Sequence, residues 1–211
     1  MKKLLFIMAF FPLFSFGQND EINALLYSIK DKYTVQDGNI VVQKILEFNN
    51  ITKDNIYMFI KEYMANIYGS LKEVLQVDDR ENGAIIIKGL YANIYCDEFL
   101  FGSAVRQDVW HVLKCEIKEN RVRITISMNK IDVYAPAGGS GAYYHPPKNY
   151  IEYLTSYYPI DDGDRAWAVK KTKAREGYIF YKAINKAVDT INAINVFVKK
   201  SSSIEKVSDD W

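Results

Sequence analysis

Residues 121–129 alternate without a fault. Val122, Ile124, Ile126 and Met128 fall on one face of an extended chain, and Arg121, Arg123, Thr125, Ser127 and Asn129 on the other. Side chains of a β-strand point to opposite faces with a period of two. A strand written this way has one apolar and one polar side, so it belongs to an antiparallel sheet covered on one face only. That face needs a second layer. Phe180, Ile184, Ala187, Val188, Ile191, Ile194 and Val198 recur at helical spacing near the C-terminus and supply one.

The remaining pattern fits around these two elements. Residues 20–33 read as a short amphipathic helix, with Ile22, Leu25, Leu26 and Ile29 in phase, Asp20 as its cap and Gln36-Asp37-Gly38 as its break. Residues 39–48 read as a strand rich in β-branched side chains. Thr52 then caps a helix. Asp54 suits its first turn, Ile51 and Ile56 are spaced for a hydrophobic staple, and Ile56, Phe59, Ile60, Tyr63, Met64, Ile67 and Tyr68 form one stripe before Gly69. Residues 73–79 and 84–96 make a hairpin around Arg80-Glu81-Asn82-Gly83. Ile85 and Ile87 lie in one phase, Leu90, Ala92 and Ile94 in the other, and a bulge near Gly89 brings them to one face. Residues 109–118 and 121–134 form a second hairpin around Glu119-Asn120.

Residues 135–147, glycine-rich and ending in Pro146-Pro147, read as an irregular loop. Residues 149–158 read as a short helix with Tyr150, Tyr153, Leu154, Tyr157 and Tyr158 on one stripe. Asp164 is placed to cap the C-terminal helical region, Gly177 marks a kink or boundary in it, and residues 201–211 form a tail. The expectation is a single α+β domain over residues 39–200, after a lead-in over 18–38, with 135–200 as a loop and helical extension.

Lys2 and Lys3 precede an apolar run over residues 4–16, and Ser15 and Gly17 are small where a signal peptidase reads. This is the pattern of a cleaved secretory signal, with the cut expected between Gly17 and Gln18. The run is shorter than the roughly 20 residues that cross a bilayer. Gln18 in place of cysteine speaks against a lipid anchor, so the expected address is periplasmic or secreted. Removing 17 of the 211 residues leaves 194 and takes the formal charge from +1 to −1. Such a near-neutral chain has no attraction for phosphate backbones, which excludes nucleic-acid binding as its task. Hydrophobic residues at 49% and charged residues at 25% exclude a disordered or polytopic membrane protein.

Catalytic patterns are weak. Gly138-Gly139-Ser140-Gly141-Ala142 approaches a nucleophile elbow, but alanine replaces the last glycine and Tyr143-Tyr144-His145-Pro146-Pro147 starts a helix poorly. His111 and Cys115 face the same side of one strand at roughly 13 Å, too far to share an ion, and packing with Leu113 and Ile117 explains them. His145 is the only other histidine, so no metal site is expected, and no cofactor either. Asp161, Asp162 and Asp164 lack the spaced ligands of a calcium loop and read as a turn and cap. Asp78, Asp79, Arg80 and Glu81 read as a solvated hairpin end, and nothing selects a carboxylate pair for glycoside hydrolysis. Cys96 and Cys115 permit one disulfide in an exported protein, or two buried thiols. Tyrosine is favoured at binding surfaces, and Tyr143 and Tyr144, off the stripe that packs, are the candidate binding surface.

Four segments carry a family likeness: Ile40-Val41-Val42-Gln43-Lys44-Ile45, Thr52-Lys53-Asp54-Asn55-Ile56-Tyr57, Asn82-Gly83-Ala84-Ile85-Ile86-Ile87-Lys88-Gly89 and Ile117-Lys118-Glu119-Asn120-Arg121-Val122-Arg123-Ile124. Over residues 39–134 the chain resembles DUF4468, a family of exported bacterial domains of unknown function with a TBP-like fold. The resemblance implies a TBP-like or helix-grip-like β-α-β(4)-α architecture and an exported address, and supplies no functional residues. The leading expectation is a non-enzymatic module that binds an envelope protein or glycan. The alternatives are a helix-grip carrier holding an apolar small molecule between sheet and C-terminal helix, and a hydrolase assembled from distant loops.

Overall fold

The computed structural model describes residues 17–98, 104–138, 146–157 and 167–205, and these form one seven-stranded antiparallel sheet with helices on one face. In chain order the elements are α1 (Gly17–Tyr27), β1 (Thr34–Gln36), β2 (Asn39–Glu47), α2 (Lys53–Ile67), α3 (Leu71–Val74), β3 (Leu75–Asp79), β4 (Ala84–Glu98), β5 (Ala104–Lys118), β6 (Arg121–Ala135), β7 (Lys148–Tyr153), a short 3-10 helix (Leu154–Tyr157) and α4 (Trp167–Glu205). The strand order is β1-β2-β6-β5-β4-β3. β2 covers β6 as far as Met128, and β7 continues along the same edge from Lys130 to Ala135.

The alternation of β6 is realised in rows across the sheet. Ile85, Cys115 and Ile124 stand opposite one another, as do Ile87, Leu113 and Ile126, and all six are buried. Phe180, Ile184, Ala187, Ile191, Ile194 and Val198 of α4 close over this face, with α2 beside it. The start of α2 is strapped to the β5–β6 turn. Thr52 Oγ1 accepts the Asn55 N–H at 3.3 Å, Asn120 Oδ1 accepts the Ile51 N–H at 3.1 Å, and Glu119 accepts the Lys53 N–H at 3.0 Å. Ile51 and Ile56 are both buried, as the staple requires. The opposite face, with Ile45, Lys88, Val112, Lys114 and Arg123, is left bare by the described helices.

Several expectations are corrected. Asp37-Gly38 does not end α1, which stops at Tyr27 before β1 begins. With φ of 49° and 71° it makes the two-residue turn joining β1 to β2, the geometry that Asp-Gly favours. The helix expected from residue 149 is instead strand β7 through Tyr153, followed by the 3-10 turn Leu154–Tyr157. β6 runs on past Met128 to Ala135, and β7 pairs with its last six residues and satisfies the backbone groups left open there, so Tyr150 and Tyr153 alternate on a strand. Gly177 neither kinks nor ends α4, which continues to Glu205 through part of the expected tail; long-range packing outweighs the roughly 1 kcal/mol that glycine costs in a helix. The tip of α2 is also less covered than its stripe suggests, since Ile67 is exposed.

The expected bulge lies elsewhere. β4 keeps register from Ala84 through Tyr91, so Gly89 shares the buried phase of Ile85 and Ile87 while Leu90 faces outward. The register shifts between Tyr91 and Tyr95, around Asn93 with φ of 54°, whose N–H donates to Asp108 at 2.7 Å. Gly89 serves packing instead. A Cβ there would stand 2.7 Å from Tyr68 Cε1 and 2.8 Å from the His111 ring. Gly89→Ala therefore lowers stability by about 1–3 kcal/mol, the usual cost of overpacking, read from urea midpoints. An unchanged midpoint would show that the two rings yield freely.

Candidate binding site

The inner sheet face changes character at one end. Apart from His111 its buried side chains are apolar as far as Val109 and Ile131, and beyond them polar side chains join Val133. Gln107 lies opposite Tyr95 on β4 and Val133 on β6, while Val133 and Ile131 lie opposite Tyr150 and Glu152 on β7. Residues opposite one another share a face, so Tyr95, Gln107, Tyr150 and Glu152 all point toward the helical layer. Tyr157 of the 3-10 helix closes on them, and Arg175 and Glu176 of α4 lie within electrostatic reach of Tyr150 and Tyr157 respectively.

Gln107 is 1% exposed. Its Nε2 donates to Tyr157 Oη at 2.8 Å and to Glu152 Oε2 at 3.2 Å, and Tyr157 donates its hydroxyl proton to that same carboxylate oxygen. Burial, reinforced by the bond to Glu152, pushes the Tyr157 phenol far above its usual range. Burial also raises Tyr150, with Glu152 adding to the effect and Arg175 opposing it. Two atoms of this end remain unspent among the described residues: Gln107 Oε1 and Arg175 Nε are buried without a hydrogen-bond partner. Leaving a buried polar atom unpaired costs about 1–3 kcal/mol, so such atoms are rare in native interiors. One is an acceptor and the other a charged donor.

The loop with the candidate surface springs from this end. Ala135 and Lys148 form the last pair of β6 and β7, two rows beyond Gln107, and the loop departs after Gly138 and rejoins at Pro146. Tyr143 and Tyr144 themselves lie outside the described residues. So do Ser140, His145, Asp161, Asp162, Asp164 and residues 1–16.

The cysteine bridge is ruled out by register. Cys96 lies opposite Arg106, and Cys115 is nine positions further along β5, about 30 Å away and on the other sheet face. A disulfide needs Cα atoms within about 7 Å. Both thiols are free, Cys96 exposed and Cys115 buried, with burial pushing Cys115 up to about 12. His111 does share the face of Cys115, but its Nε2 is engaged with Tyr68 Oη at 2.7 Å and its ring stacks on Tyr91 at 3.9 Å. Tyr91 reaches Thr190 of α4 at 3.1 Å. The acids of the β3–β4 turn are structural. Asp78 receives Tyr57 and Lys61, and Asp79 accepts the Asn82 N–H at 2.9 Å. The space that a helix-grip carrier keeps for its ligand holds Phe180, Ile184 and Ile191, all packed into the core.

Sequence reasoning missed the polar end for two reasons. It started β5 at Val109, two residues short of Gln107, and it read Glu152 on a helix. The available signal was a polar residue in the buried phase of β5, two positions before Val109.

A TBP-like α+β domain is what this sheet and its helical layer define. Residues 43–131 match the family described as "Domain of unknown function (DUF4468) with TBP-like fold". A crystal structure of a DUF4468 family protein from Bacteroides ovatus ATCC 8483 is similar at 16% identity and a TM-score of 0.50, over 80% of this chain and 91% of that one. A TBP-like protein from Parabacteroides distasonis ATCC 8503 is similar at 16% identity and a TM-score of 0.49, over 76% and 96%. At this identity the likeness to the Bacteroides protein shows the fold alone. No curated protein matches the chain. No described helix is long and apolar enough to cross a membrane.

His111 gives the domain an acid-sensitive core. Burial lowers its pKa from 6.5 to about 4, so between those values the unfolded chain binds the proton and the folded chain does not. Stability is then full above pH 6.5 and falls by about 3 kcal/mol on acidification toward pH 4. Denaturant midpoints from pH 7 to 4.5 should show this slope, and His111→Leu should flatten it.

Proposed function

We propose that the chain is an exported, non-enzymatic binding module that receives an anionic polar group at the Gln107–Arg175 end of its inner sheet face, with Tyr143 and Tyr144 as the contact surface beside it. The carrying observation is the pair of buried, unspent atoms, Gln107 Oε1 and Arg175 Nε. An arginine stays charged when buried and its planar fork suits carboxylates, so a ligand oxygen would relieve the cost of leaving it unpaired. Ala135 and Lys148, which flank in sequence the segment holding both tyrosines, form the last β6–β7 pair at this end of the sheet. Glu152 Oε2 already accepts from both Tyr157 and Gln107, and the raised Tyr157 phenol keeps its proton, which favours a binding role for this cluster. Export rests on the charged and apolar pattern of residues 1–17.

Thermal-shift titrations with envelope fragments test the reading: N-acetylmuramic acid beside neutral N-acetylglucosamine, and acidic peptides beside their amides. The acids should raise the melting temperature and the neutral partners should not. Arg175→Met, and separately Tyr143→Ala with Tyr144→Ala, should weaken binding roughly tenfold, the worth of one charge-assisted contact. Equal shifts from acid and amide, or an unaltered affinity in Arg175→Met, would overturn it. Export has its own check. The intact mass of the protein recovered from the cell envelope or medium should begin at Gln18, and an uncleaved cytoplasmic product would contradict it.

A further inference from the structure

A sheet edge offers unpaired N–H and C=O groups to any passing strand, and proteins guard such edges with short length, charge or bulges. Three edges of this sheet are guarded in those ways. β1 has three residues. β3 ends in Asp78-Asp79 and pairs β4 only as far as Ile87. Further along β4 the bulge at Asn93 bends the edge, and Asp108 has already taken the N–H there. β7 is neither short nor bulged, and its two charges, Lys148 and Glu152, are of opposite sign. It is six residues long, no described strand pairs with its free side, and Tyr150, Ile151 and Tyr153 are 43%, 53% and 55% exposed.

We propose that β7 is the seam of a homodimer, in which two copies pair their β7 strands antiparallel about a two-fold axis at Tyr150. The strand is self-complementary in that register. Lys148 of one copy lies opposite Glu152 of the other, twice, and the two Tyr150 side chains meet between these charge pairs. With a period of two, all three residues stand on the same face, so the pairs are within reach of each other. Sliding by one residue sets Lys148 opposite Tyr153 and Glu152 opposite Asn149, and both charge pairs are lost. Glu152 can serve both roles. Tyr157 and Gln107 bond its Oε2, and no described residue bonds its Oε1. A closed two-fold contact also removes the open edge and stops further growth. Pairing of β7 does not require the ligand proposed for the inner face, although Tyr150 and Glu152 belong to both.

Sedimentation velocity of the purified protein from about 1 to 100 µM, with hydrogen exchange at both ends of that range, tests the seam. The protein should dimerise as concentration rises, with the β7 amides gaining protection. Lys148→Glu, at an exposed position, should weaken the dimer roughly tenfold or more by setting like charges opposite each other twice. A monomer throughout the range would overturn the proposal, including the case where a strand from another protein takes the edge. A dimer whose β7 amides stay unprotected, or whose affinity is untouched by Lys148→Glu, would overturn it too, because its contact would lie elsewhere.

Discussion

Ile124 and Ile126 sit in the middle of β6, between Cys115 and Leu113 of β5 on one side and Lys44 and Val42 of β2 on the other. Their side chains are cut off from water, and so are those of Ile184 and Ile191 across the layer. Burying such side chains contributes about 1.5–3 kcal/mol each. The contact between this one face and the helices sets the position of everything else. It fixes strand register, because a slip of one residue would turn Val122, Ile124, Ile126 and Met128 to the wet side. It also orients α4, whose early turns bring Arg175 and Glu176 over the polar end.

The same contact explains where a site can form. Along the inner face the packing is continuous from the hairpin turns to Val109 and Ile131, so that stretch has only structural work to do. Gln107, Glu152 and Tyr157 mark where apolar burial gives way to a hydrogen-bonded network with two atoms left over. His111 is different. It is a polar residue within the apolar stretch, held neutral by burial and tied to Tyr68, and it makes the core sensitive to acid. The bare outer face has charged side chains paired across strands, such as Glu116 with Arg123 at 2.8 Å, and keeps the sheet soluble on that side.

Local chemistry was legible in the sequence wherever a single segment decided the outcome. Thr52, Ile51 and Ile56 set the start of α2, and the alternation of β6 set the one-sided sheet, because caps, staples and strand phase act within a few residues. Long-range competition was not legible. Residues 149–158 have helix-like tyrosine spacing, but the open edge of β6 beyond Met128 draws Lys148–Tyr153 into the sheet. The bulge followed the same logic. Gly89 looked like the irregular point, yet the register breaks near Asn93, and the need for a glycine came from Tyr68, distant in sequence. The polar end was hidden for the same reason, since it gathers residues from β5, β7, the 3-10 helix and α4.

Hydroxyl-radical footprinting of the folded protein measures the one-sided burial directly. The account predicts that Ile45, Val112 and Leu90 on the outer face are modified, while Leu113, Met128 and Ile191 between sheet and α4 stay protected until the domain unfolds. Equal protection of both faces, or ready modification of Ile191 in the native state, would contradict it.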